Sequence, residues 1–164
     1  MSTKHGLKVV KSADHNVGAG VDWKKVARAL LISRALDELE ETTLLPQKRM
    51  FYQFSARGHD LAQILLSQKL THPYDAVAGY YRSRPLLLGL GLPLDEVLAA
   101  SLMKEGGYSD GKDIGTVFNY PNLHGPKALP MAGGVGTQYT PTVGWAQAIE
   151  YSRKRSEEHT SELQ

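Results

Sequence analysis

The chain of 164 residues contains no cysteine and no long apolar run. Without cysteine it forms neither disulfides nor thiolate metal sites, which excludes the disulfide-stapled class of small secreted domains. No segment approaches the roughly 18 apolar residues that a membrane-spanning helix requires, and residues 1–20 lack the apolar region of a secretory signal. We therefore expect a cytoplasmic protein with no membrane partner.

The chain also has no large excess of charge of either sign, since its 19 basic and 17 acidic residues give a net charge of only +2. So small and dispersed an excess does not indicate a nucleic-acid partner. Hydrophobic residues make up 41% of the chain, which is enough for the core of one domain. Residues 1–21 are polar and contain glycine, and we expect them to form a flexible N-terminal arm that precedes a domain over residues 22–154.

Helices dominate the expected secondary structure. Apolar periodicity and capping residues predict five of them, at Trp23 to about Glu41 with Asp22 as its cap, Gly58–Leu70, Pro85–Leu90, Leu94–Met103 and Tyr139–Lys154. The first helix is expected to turn Trp23, Val26, Ala27, Leu30 and Leu31 inward, and the last Val143, Ala146, Ala148 and Ile149.

Two further segments are less regular. Ala76–Tyr80 is short and apolar, so it is either a strand or the end of a helix. Gly106–Pro130 is rich in Gly, Pro, Asn and Asp and is predicted to be a long surface loop, of the kind that is usually functional or disordered.

The segment from His124 to Gln138 holds the most informative pattern, with three glycines in four positions at Gly133, Gly134 and Gly136. A backbone without side chains can approach a ligand closely. The helix that is expected to follow would direct unpaired N–H groups and a partly positive terminus at an anion. The spacing matches neither a dinucleotide-binding fingerprint nor a P-loop, and a simple tight turn is the alternative interpretation.

A second candidate site lies at Tyr81 and Arg82, which follow the apolar segment. A guanidinium donates two parallel hydrogen bonds to phosphate oxygens, a geometry that lysine cannot copy. The alternative is a surface arginine beside a packed tyrosine.

The order of these motifs resembles that of a known family. The segments are Arg34 with Asp37, Phe51 to Ser55, Gly58 to Asp60, Tyr80 to Arg82, His124-Gly125, and Gly136 to Gln138 before a helix. Over roughly Trp23 to Tyr151, the chain resembles the alpha subunit of the thiamine-diphosphate-dependent 2-oxo acid dehydrogenases, most closely the branched-chain (2-oxoisovalerate) type.

This resemblance implies an α/β fold. The chain would be the N-terminal, mostly helical part of a thiamine-diphosphate-binding fold, truncated before most of the parallel sheet. The implied reaction is oxidative decarboxylation of a small 2-oxo acid, with transfer of the acyl group to a lipoyl arm. The implied partners are a beta subunit or beta domain and the lipoyl domain of a dihydrolipoyl acyltransferase core.

The resemblance also assigns roles to individual residues. Tyr81 and Arg82 would contact the diphosphate of the cofactor, and Gly133 and Val135 would contact the cofactor through the backbone and an apolar side chain. Tyr52 and His124 would face the substrate. In some relatives the same glycine loop binds a potassium ion, a role that falls on Thr137 and Gln138. Gly133 stands where relatives carry serine, so only a backbone role carries over at that position.

The magnesium motif of the family, Gly-Asp-Gly, does not occur in this sequence. Residues 155–164 resemble the translation of a DNA-sequencing adapter and are expected to be foreign to the protein. We therefore expect a fragment that is inactive alone, has no catalytic residue of its own, and takes its Mg²⁺ ligands from outside these residues. The alternatives are a pyruvate or acetoin dehydrogenase alpha subunit and a non-enzymatic helical interaction module.

Overall fold

The computed structural model describes residues 20–162, with side chains up to residue 156, so most of the predicted arm lies outside the described residues. In chain order the elements are α1 (Trp23–Leu39) with a π-helical turn (Glu40–Leu44), α2 (Asp60–Ser67), β1 (Ala76–Ala78), α3 (Arg84–Leu90), α4 (Leu94–Ser101), β2 (Lys127–Leu129) and α5 (Tyr139–Glu162). Among the helices of this part of the chain, none has both the length and the apolar character to cross a bilayer.

Helix α1 begins as the sequence predicts, but its buried face is only partly the predicted one. The Asp22 carboxylate accepts hydrogen bonds from the backbone N–H groups of Lys24 and Lys25 and caps the helix. Leu31 is 70% exposed and Trp23 is also exposed. The buried face consists of Val26, Ala29, Ser33, Leu36 and Asp37. The prediction was right for Val26, and Leu30 packs against the core, but it was wrong for Trp23, Ala27 and Leu31, which are exposed. Apolar periodicity does not detect a buried polar residue such as Asp37, which has charged and hydrogen-bonding partners.

Helices α1, α2 and α3 pack together, and glycine sets how closely two of them approach. A Cβ added at Gly89 of α3 would lie only 2.1 Å from the Ser67 hydroxyl of α2, so these helices meet across a position that excludes any side chain. Helix α3 ends at Gly91, whose φ of 105° is left-handed, which confirms the predicted C-terminus.

Two apolar clusters form the core of the part of the chain that the structure describes. The larger one joins α1, α3 and α4 with a later loop through Leu36, Leu87, Leu92, Val97 and Phe118. The smaller one joins α1 to α2 through Val26, Ala29 and Ile64. Phe118 lies in the segment predicted to be a surface loop, where Thr116 and Val117 are also buried.

The sheet consists of two short parallel strands, with Ala76 opposite Lys127 and Ala78 opposite Leu129. Strand β1 resolves the ambiguity at Ala76–Tyr80 in favour of a strand. Strand β2 and the buried residues before it correct the prediction of one long surface loop over Gly106–Pro130. Pairing between strands about fifty residues apart leaves little local signal in a segment rich in glycine and proline. The fold is a helix-rich α/β arrangement.

Helix α5 departs furthest from its predicted packing. Val143 and Ile149 are 57% and 42% exposed, and Ala146 and Ala148 are exposed as well. The helix contacts β1 and the loop before it, where the Trp145 indole N–H donates to the carbonyl of Tyr74 at 2.8 Å. The prediction that these four residues point inward was wrong, because no described element covers that face. The helix also runs eight residues beyond the predicted end at Lys154.

A buried ionic cluster joins α1 to the start of α3. Arg84 donates from Nη2 to Asp37 Oδ1 and from Nη1 to Glu40 Oε1, both at 2.5 Å. The Ser101 hydroxyl of α4 donates to the same Glu40 oxygen at 3.1 Å. All four side chains are almost fully buried. Buried charges are tolerated only when they are paired and hydrogen-bonded, so this cluster requires the three helices to keep their relative positions.

Arg84→Leu should destabilise the fold severely. Removing the guanidinium leaves Glu40 buried without a counter-charge and leaves Asp37 only the more distant Arg57, whose Nε lies 3.9 Å from Asp37 Oδ2. Loss of one partner of a buried ion pair costs about 3–5 kcal/mol. Urea unfolding followed by circular dichroism measures the change. The matched control is Arg49→Leu at an exposed position, which should leave the unfolding free energy nearly unchanged. Equal stability of the two variants would contradict the central role of Arg84.

Candidate functional site

The candidate site lies where both parallel strands end. The turn from Gly79 to Arg82 follows β1, and the segment from Pro130 to Gln138 follows β2. Because the strands are parallel and in register, both segments leave the sheet at the same edge. Met131 lies beside this turn, since its Sδ would be 3.3 Å from a Cβ added at Gly79. The structure thus brings the beginning of the glycine loop next to the turn that carries Tyr81 and Arg82.

Arg82 is half-buried and is held at both its side chain and its backbone. Its Nη1 donates to the carbonyl oxygen of Ser55 at 2.7 Å. The Gln63 side chain donates to the carbonyl of Arg82 at 3.0 Å and accepts from the N–H of Leu86 at 3.3 Å. Gln63 therefore links the backbone on either side of the first turn of α3.

Aromatic rings flank the same guanidinium. The rings of Phe54 and Tyr81 lie 4.5 Å apart between centroids. The central carbon of the Arg82 guanidinium is 5.8 Å from the centre of the Phe54 ring and 5.4 Å from that of Tyr81. Cation–π contacts at these distances are attractive and restrict where the charge can lie.

The charge of Arg82 has no carboxylate partner among residues 20–156. The other arginines there either form an ion pair, as Arg34, Arg57, Arg84 and Arg153 do, or have exposed side chains, as Arg28, Arg49 and Arg155 do. A half-buried guanidinium loses part of its hydration without gaining a counter-charge. An anion from outside the described chain would compensate that loss.

The glycine loop is open and is shaped by its own hydrogen bonds. Gly136 has a φ of 91°, and its N–H donates to the side-chain oxygen of Gln138 at 2.9 Å. The Thr137 hydroxyl donates to the carbonyl of Gly134 at 2.6 Å. Val135 is 75% exposed. A Cβ at Gly133 would contact only the end of the Ile114 side chain, at 3.3 Å, so the face of this loop is free of obstructing backbone.

The residues predicted to face the substrate do not join this cluster directly. Tyr52 is 52% exposed, and no hydrogen bond or ring contact connects it to Arg82. His124 is exposed on a loop that Lys127 closes, by donating from Nζ to the carbonyls of Asn122 and Leu123 at 2.9 and 3.0 Å. In the described part of the chain, no group of three or more His, Cys, Asp or Glu side chains is placed to hold a metal ion.

Sequence reasoning missed Gln63 and Arg84, and it identified Ser55 only as part of a motif. The available signal was the pair Asp37 and Glu40, three residues apart on a helical face that also carries Leu36. Two carboxylates on a face that becomes buried require a cation there, and Arg84 precedes an apolar helix.

No protein-family model matches the chain.

The buried Glu40 has a perturbed acidity. Its pKa is raised above the ordinary value of 4.5, and burial is the largest cause; the charge and hydrogen bond of Arg84 and the hydrogen bond of Ser101 lower the pKa, but the net change is upward. The negative charge of Asp37 raises the pKa further. The folded protein therefore retains a proton on Glu40 at pH values where the unfolded chain has lost it.

This shift predicts a pH dependence of stability. Because the pKa of Glu40 is higher in the folded state, its contribution to stability is fully present below pH 4.5 and is lost as the pH rises through the folded-state pKa. The difference in unfolding free energy between the wild type and Glu40→Gln should therefore fall as the pH increases above 4.5. Urea unfolding across pH 4–8 measures it.

Glu150→Gln is the control of opposite sign. Hydrogen bonds from Arg153 and Lys154 lower the pKa of Glu150, so its contribution is present above its ordinary pKa and is lost as the pH falls. The corresponding difference for Glu150 should rise or stay level with increasing pH. A difference for Glu40 that also rises would contradict the assignment.

Proposed function

We propose that this chain carries the diphosphate-binding part of a thiamine-diphosphate-dependent 2-oxo acid dehydrogenase. The observation that carries the proposal is the half-buried charge of Arg82, which has no carboxylate partner among the described residues. A diphosphate is an anion that suits a guanidinium fork, because two of its oxygens can accept parallel hydrogen bonds.

The position of Arg82 supports this proposal. In open α/β sheets, ligands bind beyond the carboxyl ends of parallel strands, where the connecting segments diverge. Arg82 follows β1 at that edge, and the glycine loop follows β2 at the same edge. Tyr81 packs against Phe54 and supplies an apolar wall beside the charge.

The glycine loop would line the remaining part of the cofactor. Gly133 is exposed and leaves its backbone accessible, and Val135 presents an exposed apolar side chain. In this proposal Gly133 acts through its backbone and Val135 through apolar contact. Thr137 and Gln138 shape the loop through their hydrogen bonds, and their proposed role toward a potassium ion would use the oxygen lone pairs that remain.

When bound, thiamine diphosphate supplies the electron sink for decarboxylation of a 2-oxo acid. The residues of this chain bind and orient the cofactor, with Arg82 compensating negative charge and Tyr81 excluding water on one side. Tyr52 and His124 are proposed to face a branched-chain 2-oxo acid. Mg²⁺ ligands, the beta subunit or domain and the lipoyl domain of the acyltransferase complete the proposed enzyme, which we place in the cytoplasm.

A pyruvate or acetoin dehydrogenase alpha subunit is an alternative within the same class of enzyme. It would share these cofactor contacts and differ in the residues that line the substrate pocket.

A second candidate of another class is a helical interaction module. The observation that favours it is the exposed apolar face of α5, next to an open groove of about 450 Å³ lined by Tyr74, Trp145 and Ile149. In that case Arg82 would have no ligand.

Arg82→Lys should weaken binding of inorganic pyrophosphate to the full chain in Mg²⁺-free buffer. Lysine replaces a planar fork with a point charge, and loss of one charge-assisted hydrogen bond costs about 1.5–3 kcal/mol, which is roughly tenfold or more in affinity. Titration followed by the ¹⁵N resonance of the Arg82 side chain in the wild type, and by backbone resonances in both proteins, measures the dissociation constants.

Arg49→Lys is the matched control, since Arg49 is exposed and makes no side-chain ion pair among the described residues. It should bind pyrophosphate as the wild type does. Equal pyrophosphate affinities for the wild type and both variants, or equal losses of affinity in both variants, would contradict the proposal. Either result would mean that binding reflects only general attraction by surface charge.

The full chain should also show no gain in thiamine diphosphate affinity when Mg²⁺ is added. A hard dication that bridges phosphates needs several oxygen ligands in near-octahedral array, and in this proposal they lie outside the described residues. Calorimetric titration with and without Mg²⁺ makes the comparison. Micromolar, magnesium-dependent binding would contradict this division of the site.

A further inference from the structure

We infer that Ser55, held by Asp37, is a positioning residue that fixes the guanidinium of Arg82 for anion binding. This inference rests on the proposed diphosphate site and adds to it the mechanism by which the site is kept in place. It concerns a residue that would not touch the ligand, because Ser55 acts on Arg82 through its own carbonyl oxygen.

The hydroxyl of Ser55 fixes the local backbone through two hydrogen bonds. It donates to Asp37 Oδ2 at 2.6 Å and accepts from the backbone N–H of Arg57 at 3.2 Å. Together these bonds hold the side-chain rotamer and the turn over residues 55–57. They therefore determine where the Ser55 carbonyl points, and that carbonyl is the acceptor for Arg82 Nη1.

Asp37 is itself immobilised in the core. Its side chain is fully buried, and its other oxygen, Oδ1, accepts from Arg84 at 2.5 Å. A continuous series of short polar contacts thus runs from Arg84 through Asp37 and Ser55 to Arg82. The partly exposed guanidinium is connected to the buried ionic cluster by this route.

The backbone of Arg82 is held separately, by the hydrogen bond from Gln63. With its carbonyl held by Gln63 and its Nη1 held by Ser55, the long side chain is confined at both ends. Fixing a flexible side chain before binding removes an entropic cost that would otherwise reduce affinity, by about 0.5–1.5 kcal/mol per side chain, or roughly two- to tenfold. The rings of Phe54 and Tyr81 limit the remaining motion.

The test compares Ser55→Ala with Ser55→Thr in the full chain. Ser55→Ala should raise the dissociation constant for inorganic pyrophosphate by about two- to tenfold. Without ligand it should lower the ¹⁵N heteronuclear NOE of Arg82 Nε, because the guanidinium moves more freely. Ser55→Thr keeps a hydroxyl and should restore both values toward the wild type. In an Arg82→Ala background, Ser55→Ala should have no further effect on pyrophosphate affinity.

Ser101→Ala is the matched control for loss of stability. Its hydroxyl donates to Glu40 in the same buried cluster, but Glu40, Arg84, Asp37 and Ser55 separate it from Arg82 along the series of contacts. It should lower the unfolding free energy while leaving the Arg82 NOE and the pyrophosphate affinity unchanged. If Ser101→Ala alters both as Ser55→Ala does, the effect is general loosening of the core and the inference is overturned.

The remaining outcomes separate this inference from the proposed function. If Arg82→Lys weakens pyrophosphate binding but Ser55→Ala changes neither affinity nor NOE, the anion site stands and the positioning role of Ser55 is wrong. If the wild type does not bind pyrophosphate, the proposed function fails. The NOE comparison then still decides whether Ser55 holds the guanidinium.

Discussion

The ion pairs of Arg84 with Asp37 and Glu40 are the interaction on which the rest of the structure depends. Three charges are removed from water at the junction of α1 and α3, and they remain buried only while each has its partner. Ser101 brings α4 into the same cluster. Apolar side chains can shift against one another at little cost, whereas a shifted ion pair would leave a charge buried without its partner. This cluster therefore restricts the relative positions of the helices more strictly than the surrounding leucines do.

The same cluster reaches the candidate site through a single side chain. Asp37 accepts from Ser55, and the carbonyl of Ser55 accepts from Arg82. Arg82 and Arg84 are two residues apart, yet one is buried and paired while the other is half-buried without a carboxylate partner in the described chain. This contrast has a physical reason: the first turn of α3 directs Arg84 between α1 and α4, whereas Arg82 precedes the helix at the open edge of the sheet. One arginine is paired within the core, and the other is the residue that we propose to bind an anion.

Much of the local structure could be predicted because it depends on local chemistry. The Asp22 cap, the end of α3 at Gly91 and the start of α4 after Pro93 are determined by residues within one helical turn. The inner faces of α1 and α5 could not be predicted in the same way. In α1, buried polar residues shift the inner face away from the apolar stripe, and in α5 the apolar residues have no covering element among the described residues.

By itself, the sequence determined the type and approximate extent of the helices, because these follow from side-chain chemistry and short-range hydrogen bonding. It made Arg82 a candidate through a resemblance to a family and the chemistry of the guanidinium. Only the tertiary structure decided that Lys127–Leu129 is a strand beside Ala76–Ala78, and that the two candidate segments share one edge of the sheet. It also decided which arginine is paired. Strand pairing and charge pairing join residues about 45–50 positions apart, and the free energy of such contacts depends on the position of both partners, which no local pattern encodes.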